Sequence, residues 1–525
     1  MTAGTITPDR SGLEAGRDGF AQLLRAEWTK FRTVRGWVIG TAVAALVTVL
    51  IGPLTASGSH CSANGQTCHP SVPVGPDGEA VTDSFYFVHQ PLAGNGSITV
   101  RVTSLTGLLP TPPAGRSAPV GTRPGLVPWA KAGIIIKDGT RQGSAYAAVL
   151  VTGGHGVRMQ YDYTHDKAGL AGGVSAASPR WLRLTRSGDT LTGEESADGT
   201  HWTTVGTAHL AGLPATVQAG LFATSPQYTQ AISQSFILTG DASGPTRATA
   251  AFDHLSRQGT WPSQAWTGED IGGPDNATSL QRGGFDQASG GFTVSGSGDI
   301  APAVSGAAGL GTTITQTLVG TFAGLIMVIV VGTMFITAEY RRGLIRTTLA
   351  ASPRRGRVLV AKAIVIGTVT YLTGLAAAAV VVTLGQQTLR SNGVYVHPAT
   401  TLTELRLVAG TAALLAVAAI LALAIGALLR RSATAVTAAI VVIVLPYLLA
   451  ISALPAGAAQ WLLRITPAAA FALQQSTPQY PQVSNLYTPA NGYFPLAPWS
   501  GLAVLCGYAA LTLGLAVLLL RRRDA

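Results

Sequence analysis

Apolar positions fall along this chain in two unlike patterns. Six stretches, 37–54, 315–336, 358–384, 405–429, 433–454 and 500–520, are almost continuously apolar. At about 1.5 Å of rise per residue, each is long enough to cross a hydrocarbon core of about 30 Å as a helix. From 55 to 312 the pattern changes to short runs in which apolar and polar residues alternate, broken by Gly, Asp-Gly or Pro. That period of two predicts strands at 85–88, 97–102, 132–137, 145–151, 156–163, 181–186, 190–195, 202–205, 216–223 and 234–239. In WLRLTRSGDTLTG, Leu182 and Leu184 fall on one face and Trp181, Arg183 and Thr185 on the other, with Ser187-Gly188-Asp189 as the reversal. The predicted fold is an α-helical polytopic membrane protein with six transmembrane helices and an inserted all-β sandwich.

Charge orients this arrangement. The chain is net +11, from 35 basic and 24 acidic residues, but 55–312 holds 14 of the basic and 17 of the acidic ones. The excess therefore belongs to the membrane part and its edges. There it reads as the positive-inside bias, with some attraction to anionic lipid, and no nucleic-acid partner is expected. Arg25, Lys30, Arg32 and Arg35 precede the first span, and Arg341, Arg342, Arg346, Arg354, Arg355 and Arg357 follow the second against the single acid Glu339. Arg430 and Arg431 separate the fourth and fifth, and Arg521 to Arg523 follow the last. Both termini and the loop 338–357 are thus expected in the cytoplasm and 55–312 outside the cell. The segment ahead of Trp37 is too long for a secretory n-region, so 37–54 is expected to remain as a span. The predicted layout is a cytoplasmic 1–36, a first span 37–54, an extracellular β domain 55–312, and the remaining spans in 313–525.

Two segments at the cytoplasmic edge carry helical periodicity. In FAQLLRAEWTKFRTVRGW, Phe20, Leu23, Leu24, Trp28 and Phe31 share one face with cations beside them, as in an interfacial helix. In EYRRGLIRTTLAASPRRGRVLVAK, the residues Ile336, Tyr340, Leu344, Ile345 and Leu349 recur at helical spacing while Arg341, Arg342 and Arg346 face elsewhere. Ser352-Pro353 then supplies an N-cap and first-turn proline for a new helix.

Catalytic signatures are missing from the sequence. No Gly-Lys dipeptide occurs, so the chain carries no P-loop, and no H-E-x-x-H occurs either. Glu194 and Glu195 are neighbours on a predicted strand, which sends their carboxylates to opposite faces; they read as a solvated surface pair. Tyr161, Tyr163, Trp181 and Trp202 read first as core, with a sugar-stacking platform as the alternative. Cys61 and Cys68, flanked by His60 and His69, suggest a small disulfide loop, a His/Cys metal site being the other reading. Lys362 near the start of the third span and Arg406 at the start of the fourth are the charges within the six stretches. Ion-coupled carriers need buried ionisable groups along their path. Energy for transport is accordingly expected from another polypeptide.

Two resemblances follow. DSFYFVHQPLAGNGSITVRV, AGIIIKDG, GVRMQYDY and WLRLTRSGDTLTGEESADGTHW resemble concanavalin-like or laminin-G-like jelly rolls, over about 83–240. That resemblance implies binding of an extracellular glycan or envelope component. A segment expected just before DSFYF occurs instead at 290–300, which suggests a permuted strand order. LLRAEWTKFRTVRGW, EYRRGLIRTTLAASPRRGRVLVAK and WLLRITPAAAFALQQ resemble the permease subunits of type-2 ABC exporters, especially actinobacterial ones. The resemblance implies a bacterial plasma-membrane protein with an elbow helix, a coupling helix after the second span and re-entrant helices before the sixth. It also implies a separate ABC ATP-binding subunit that holds ATP and Mg, and a second permease copy or paralogue. By position, Glu339, Tyr340, Arg341, Arg342, Gly343, Arg346, Thr347, Thr348, Pro353 and Arg354 would form the coupling region. The expected function is a non-enzymatic permease of an ABC transporter, with no cofactor of its own. The rival is a membrane-anchored receptor or sensor that binds a glycan through its outer domain.

Overall fold

The computed structural model describes residues 19–59, 62–63, 66–67, 72–111, 121–233, 239–263, 265–274, 277–288, 290–306, 310–344 and 355–522. A surface helix α1 (Phe20–Thr33) leads directly into α2 (Arg35–Ser57), and a 3-10 turn (Ile314–Val319) opens α3 (Gly320–Arg341). Then come α4 (Arg355–Ser391), α5 (Thr401–Leu429), α6 (Ser432–Ile443), α7 (Leu445–Ser452), α8 (Ala456–Ile465) and α9 (Pro498–Arg522). The segments Arg35–Ser57, Ile314–Arg341, Arg355–Ser391, Thr401–Leu429 and Pro498–Arg522 are each long and apolar enough to span a membrane, and α6 with α7 makes a sixth, bent by 41°. Pro446 explains the bend, since it has no N–H for the helix ladder and its ring crowds the carbonyl four residues earlier. Helix faces meet through small residues. A Cβ on Gly320 would stand 2.4 Å from the Thr48 carbonyl oxygen, and one on Gly332 2.7 Å from that of Ala419. The core of this part runs through Leu325, Ile329, Ile366, Leu415, Leu423 and Leu473.

The inserted domain is organised by one long strand, β2 (Phe85–Thr111). Its first half lies between Thr216–Thr224 and Thr267–Ile271, and its second half between Arg180–Ser187 and Arg247–Thr260. Gly94, at φ 69°, and Gly96, pressed against the Gln258 carbonyl, mark the bend that lets one strand serve both layers. The predicted strands 85–88 and 97–102 are thus one element, because both halves alternate in register with the same buried layer: Val88, Leu92, Ile98, Val100 and Val102 are fully buried. Leu182 and Leu184 are buried and Trp181, Arg183 and Thr185 half-buried on the opposite face, as their alternation requires. Most of the predicted strand 234–239 lies outside the described residues.

The sandwich extends well past 240, through Arg247–Thr260, Thr267–Ile271, Gly284–Ala288, Gly291–Gly296 and Ile300–Pro302. The late segment does join the sheet, but Gly291–Gly296 pairs with Arg247–Thr260 and Gly284–Ala288. It is Ile300–Pro302 that pairs with β1 (Val81–Asp83), so the incoming and outgoing chains leave the sandwich side by side. Two buried ion pairs pin these strands: Lys137 Nζ to Asp83 Oδ2 at 2.8 Å and Lys131 Nζ to Asp299 Oδ1 at 2.6 Å.

The sandwich rests on the loop 475–497 ahead of α9. Gln482 Nε2 donates to the Thr164 carbonyl at 3.1 Å, Asn485 Nδ2 to the Ser305 carbonyl at 2.8 Å, and Val483 packs with Ala301 and Val304.

Candidate functional site at the edge of the helical part

At the end of the helices opposite the sandwich, four charges converge. Outside 55–312 the chain has only seven acids, Asp9, Glu14, Asp18, Glu27, Glu339, Glu404 and Asp524. Two of them, from segments more than 300 residues apart, meet one lysine: Lys362 Nζ lies 2.6 Å from Glu27 Oε2 and 2.7 Å from Glu339 Oε1. Lys30 completes the cluster at 2.8 Å from Glu27 Oε1 and 3.4 Å from Glu339 Oε1. Lys362 and Glu27 are wholly buried.

Local structure explains the meeting. Glu27 and Lys30 are one turn apart on α1, whose inner face is Leu23, Leu24, Glu27 and Phe31, while Trp28 is 46% exposed and Phe20 also points outward. The apolar face read from the sequence is therefore rotated, and its inner stripe is centred on a carboxylate. Glu339 closes α3 and Lys362 opens α4, two turns in from Arg355. Aromatic rings wall the cluster: the Lys362 ammonium sits 4.8 Å from the Phe335 ring centre, and Phe31 and Trp37 each meet Phe335 edge-on with centroids 5.8 Å apart.

The electrostatics require all members. Two carboxylates and two ammoniums make the cluster neutral, but an unpaired ion at this depth would cost several kcal/mol. Burial alone would depress the Lys30 ammonium; the bond and charge of Glu27, joined by the charge of Glu339, outweigh it and hold Lys30 above its ordinary range. The cluster thus ties α1, α3 and α4 into one unit beside the basic loop.

The sequence-derived coupling residues divide. Glu339 belongs to the cluster. Tyr340 is half-buried, with the Arg430 guanidinium 5.3 Å from its ring centre, which brings in the turn between α5 and α6. Arg341 and Arg342 are exposed at the helix end, and Gly343 takes φ 68°, which terminates α3. Arg346, Thr347, Thr348, Pro353 and Arg354 lie outside the described residues, as do Cys61 and Cys68, although a hairpin of Ser62–Ala63 with Gln66–Thr67 is described between the two cysteines. Sequence reasoning passed over Glu27, Lys30 and Lys362 as site residues. Their signal was scarcity, since acids are almost absent from the helical part.

Elsewhere, the surface pair expected at Glu194 and Glu195 is half corrected. Glu194 bonds Arg183 Nε at 2.6 Å on the outer face, but Glu195 is 2% exposed and accepts the Leu170 N–H at 2.7 Å. Tyr163 is core, whereas Trp181 and Trp202 are half-buried under Arg101 and Arg183. Among the described residues no group of His, Cys, Asp and Glu could hold a metal ion.

The family model for ABC-2 family transporter protein matches residues 207–525. No curated protein matches the chain. Among solved structures, a functionally unknown protein from Saccharomyces cerevisiae is 16% identical, covering 39% of this chain and 92% of its own, with a TM-score of 0.22. Scytalido-glutamic peptidase bound to a transition-state analogue is 8% identical, at 41% and 98% coverage and a TM-score of 0.23. The GH43 protein BlXynB from Bacillus licheniformis is 15% identical, at 25% and 24% coverage and a TM-score of 0.16. Scores this low carry no argument about fold or function.

Proposed function

The chain belongs to the ABC-2 transporter family, and we propose that it is the permease subunit of an ATP-driven exporter, with its ATP and Mg held by a separate ABC ATP-binding subunit. In this reading both termini and the loop 338–357 face the cytoplasm of a bacterial cell, and the sandwich stands outside. A second permease, a copy or a paralogue, completes the pathway between two bundles. Glu339 to Gly343, Arg346 to Thr348, Pro353 and Arg354 form the surface that receives the ATP-binding subunit.

One observation carries the proposal: the buried cluster of Lys362, Glu27, Glu339 and Lys30 fastens the surface helix and two spans to the very base of the basic loop. A push on that loop would be transmitted to α1, α3 and α4 together, because separating any one of them exposes an unpaired buried charge. The permease needs no nucleotide site of its own for this; it needs a stiff lever.

The test is assembly. Reversing Arg341, Arg342 and Arg346 to Glu should abolish co-purification of the ATP-binding subunit while membrane insertion of the permease is unchanged. A complex that survives at physiological salt would remove the loop from the interface. Cys61 and Cys68 are proposed as a disulfide outside the membrane, to be checked by a mass shift on alkylation with and without reductant.

A further inference from the structure

On the sandwich side of the helical part, a cavity of about 760 Å³ opens between the end of the bent fifth span, α8 and the loop 475–497. Its walls differ in kind. Ala450, Ile451, Leu454, Ala459 and Leu463 make one side apolar. The facing loop presents amides already spoken for: Gln475 Oε1 accepts the Phe494 N–H at 3.1 Å, and Gln479 Nε2 donates to the Phe494 carbonyl at 3.3 Å. Arg464 also lines the cavity, with its guanidinium 5.8 Å from the ring centre of the neighbouring Trp461, which is 66% exposed. No acid occurs anywhere from 405 to 523, so the segment that builds the cavity supplies no carboxylate to pair with Arg464.

The geometry points to a binding site for an anionic amphiphile, its chain along the Ala450–Leu463 wall and its acidic head on Arg464. An apolar wall alone would accept any lipid tail. The guanidinium adds the selection, because it pairs an acidic phosphate or carboxylate through charge-assisted hydrogen bonds and gains nothing comparable from a zwitterion that carries its own cation. Trp461 beside it suits a membrane–water boundary, where amphipathic rings gather. The site deepens the permease reading by naming a cargo class, but its occupancy does not depend on the ATP-binding subunit, so the two can fail separately.

The full chain in discs of neutral lipid would be photolabelled with dodecyl phosphate carrying a diazirine in its chain, and with the matched dodecyl phosphocholine. Peptides from 450–465 and 487–498 should label about five- to tenfold more with the phosphate probe, the ratio an exposed charge-assisted contact supplies. Arg464→Gln should bring that ratio to about one while leaving phosphocholine labelling as it was, and Arg464→Lys should keep most of it. Equal labelling by the two probes, or a preference indifferent to Arg464→Gln, would overturn the site. In the assembled complex, ATP that lowers the labelling would identify the amphiphile as cargo; labelling indifferent to ATP would identify it as a lipid that occupies the same site.

Discussion

Lys362 shows how much one residue can organise when charges are scarce. It is buried, it touches two carboxylates, and those come from a helix before the first span and from the end of the second. Removing it alone should therefore be worse than removing the whole cluster. Lys362→Met leaves Glu27 and Glu339 facing each other and should destabilise the purified chain by about 3–5 kcal/mol. Adding Glu27→Gln and Glu339→Gln should restore most of that loss, read as recovery of the melting temperature in detergent. A triple variant no more stable than the single one would contradict a neutral buried cluster.

A second residue-scale consequence lies in the sandwich. Burial, with the nearby carboxylates of Asp77 and Glu79, raises Asp162 from 3.8 to about 6, against the opposing Tyr146 N–H and His165. Its folded pKa exceeds its unfolded one. Stability from the neutral form is full below the unfolded value and is lost as pH rises through about 6. Asp162→Asn keeps the oxygen that accepts Tyr146 N–H and tolerates the φ of 43°. It should stabilise the protein by about 1–2 kcal/mol at about pH 7.5, with the gain shrinking toward about pH 4.5. A gain that grows on acidification would show that the carboxylate is not held unfavourably.

At the scale of elements, the spans were legible because hydrocarbon length and charge exclusion leave so little freedom: 358–384 and 405–429 fall inside Arg355–Ser391 and Thr401–Leu429. The bend between α6 and α7 was less so, since Pro446 announces a break but not its angle. The segment 290–300 was legible as a strand, but Arg247–Thr260 went unread because it opens on small Ala and Thr residues with few large apolar ones, a weak period-two signal. The α1 stripe misled for a different reason. Amphipathicity assigns Glu27 to the wet side, and its burial becomes tolerable only when Lys362 from a distant helix joins Lys30 of its own helix as a partner. Orientation can be tested element by element. Cysteines at 352 and 432 should escape a membrane-impermeant maleimide added to intact cells, while positions in 386–397 should react. Labelling at 352 from outside would invert the arrangement.

At the scale of the molecule, the sandwich is inserted between two spans by strands that are themselves paired, Val81–Asp83 with Ile300–Pro302, and its underside bonds to the loop that lines the cavity. Two tethers side by side leave the domain one hinge line, and the Gln482 to Thr164 bond lies on the contact that a rocking motion would open. If the bundle changes shape during a transport cycle, that contact must break or the domain must follow the loop. A cysteine pair replacing Thr164 and Gln482 discriminates between these. Oxidised in the assembled complex, it should depress ATP turnover, and reductant should restore it, because a locked contact holds the loop and α9 in the arrangement described here. Turnover indifferent to the cross-link would mean that sandwich and loop travel together as one rigid cap, and the mobile part of the cycle would then lie below them, in the spans joined through Lys362.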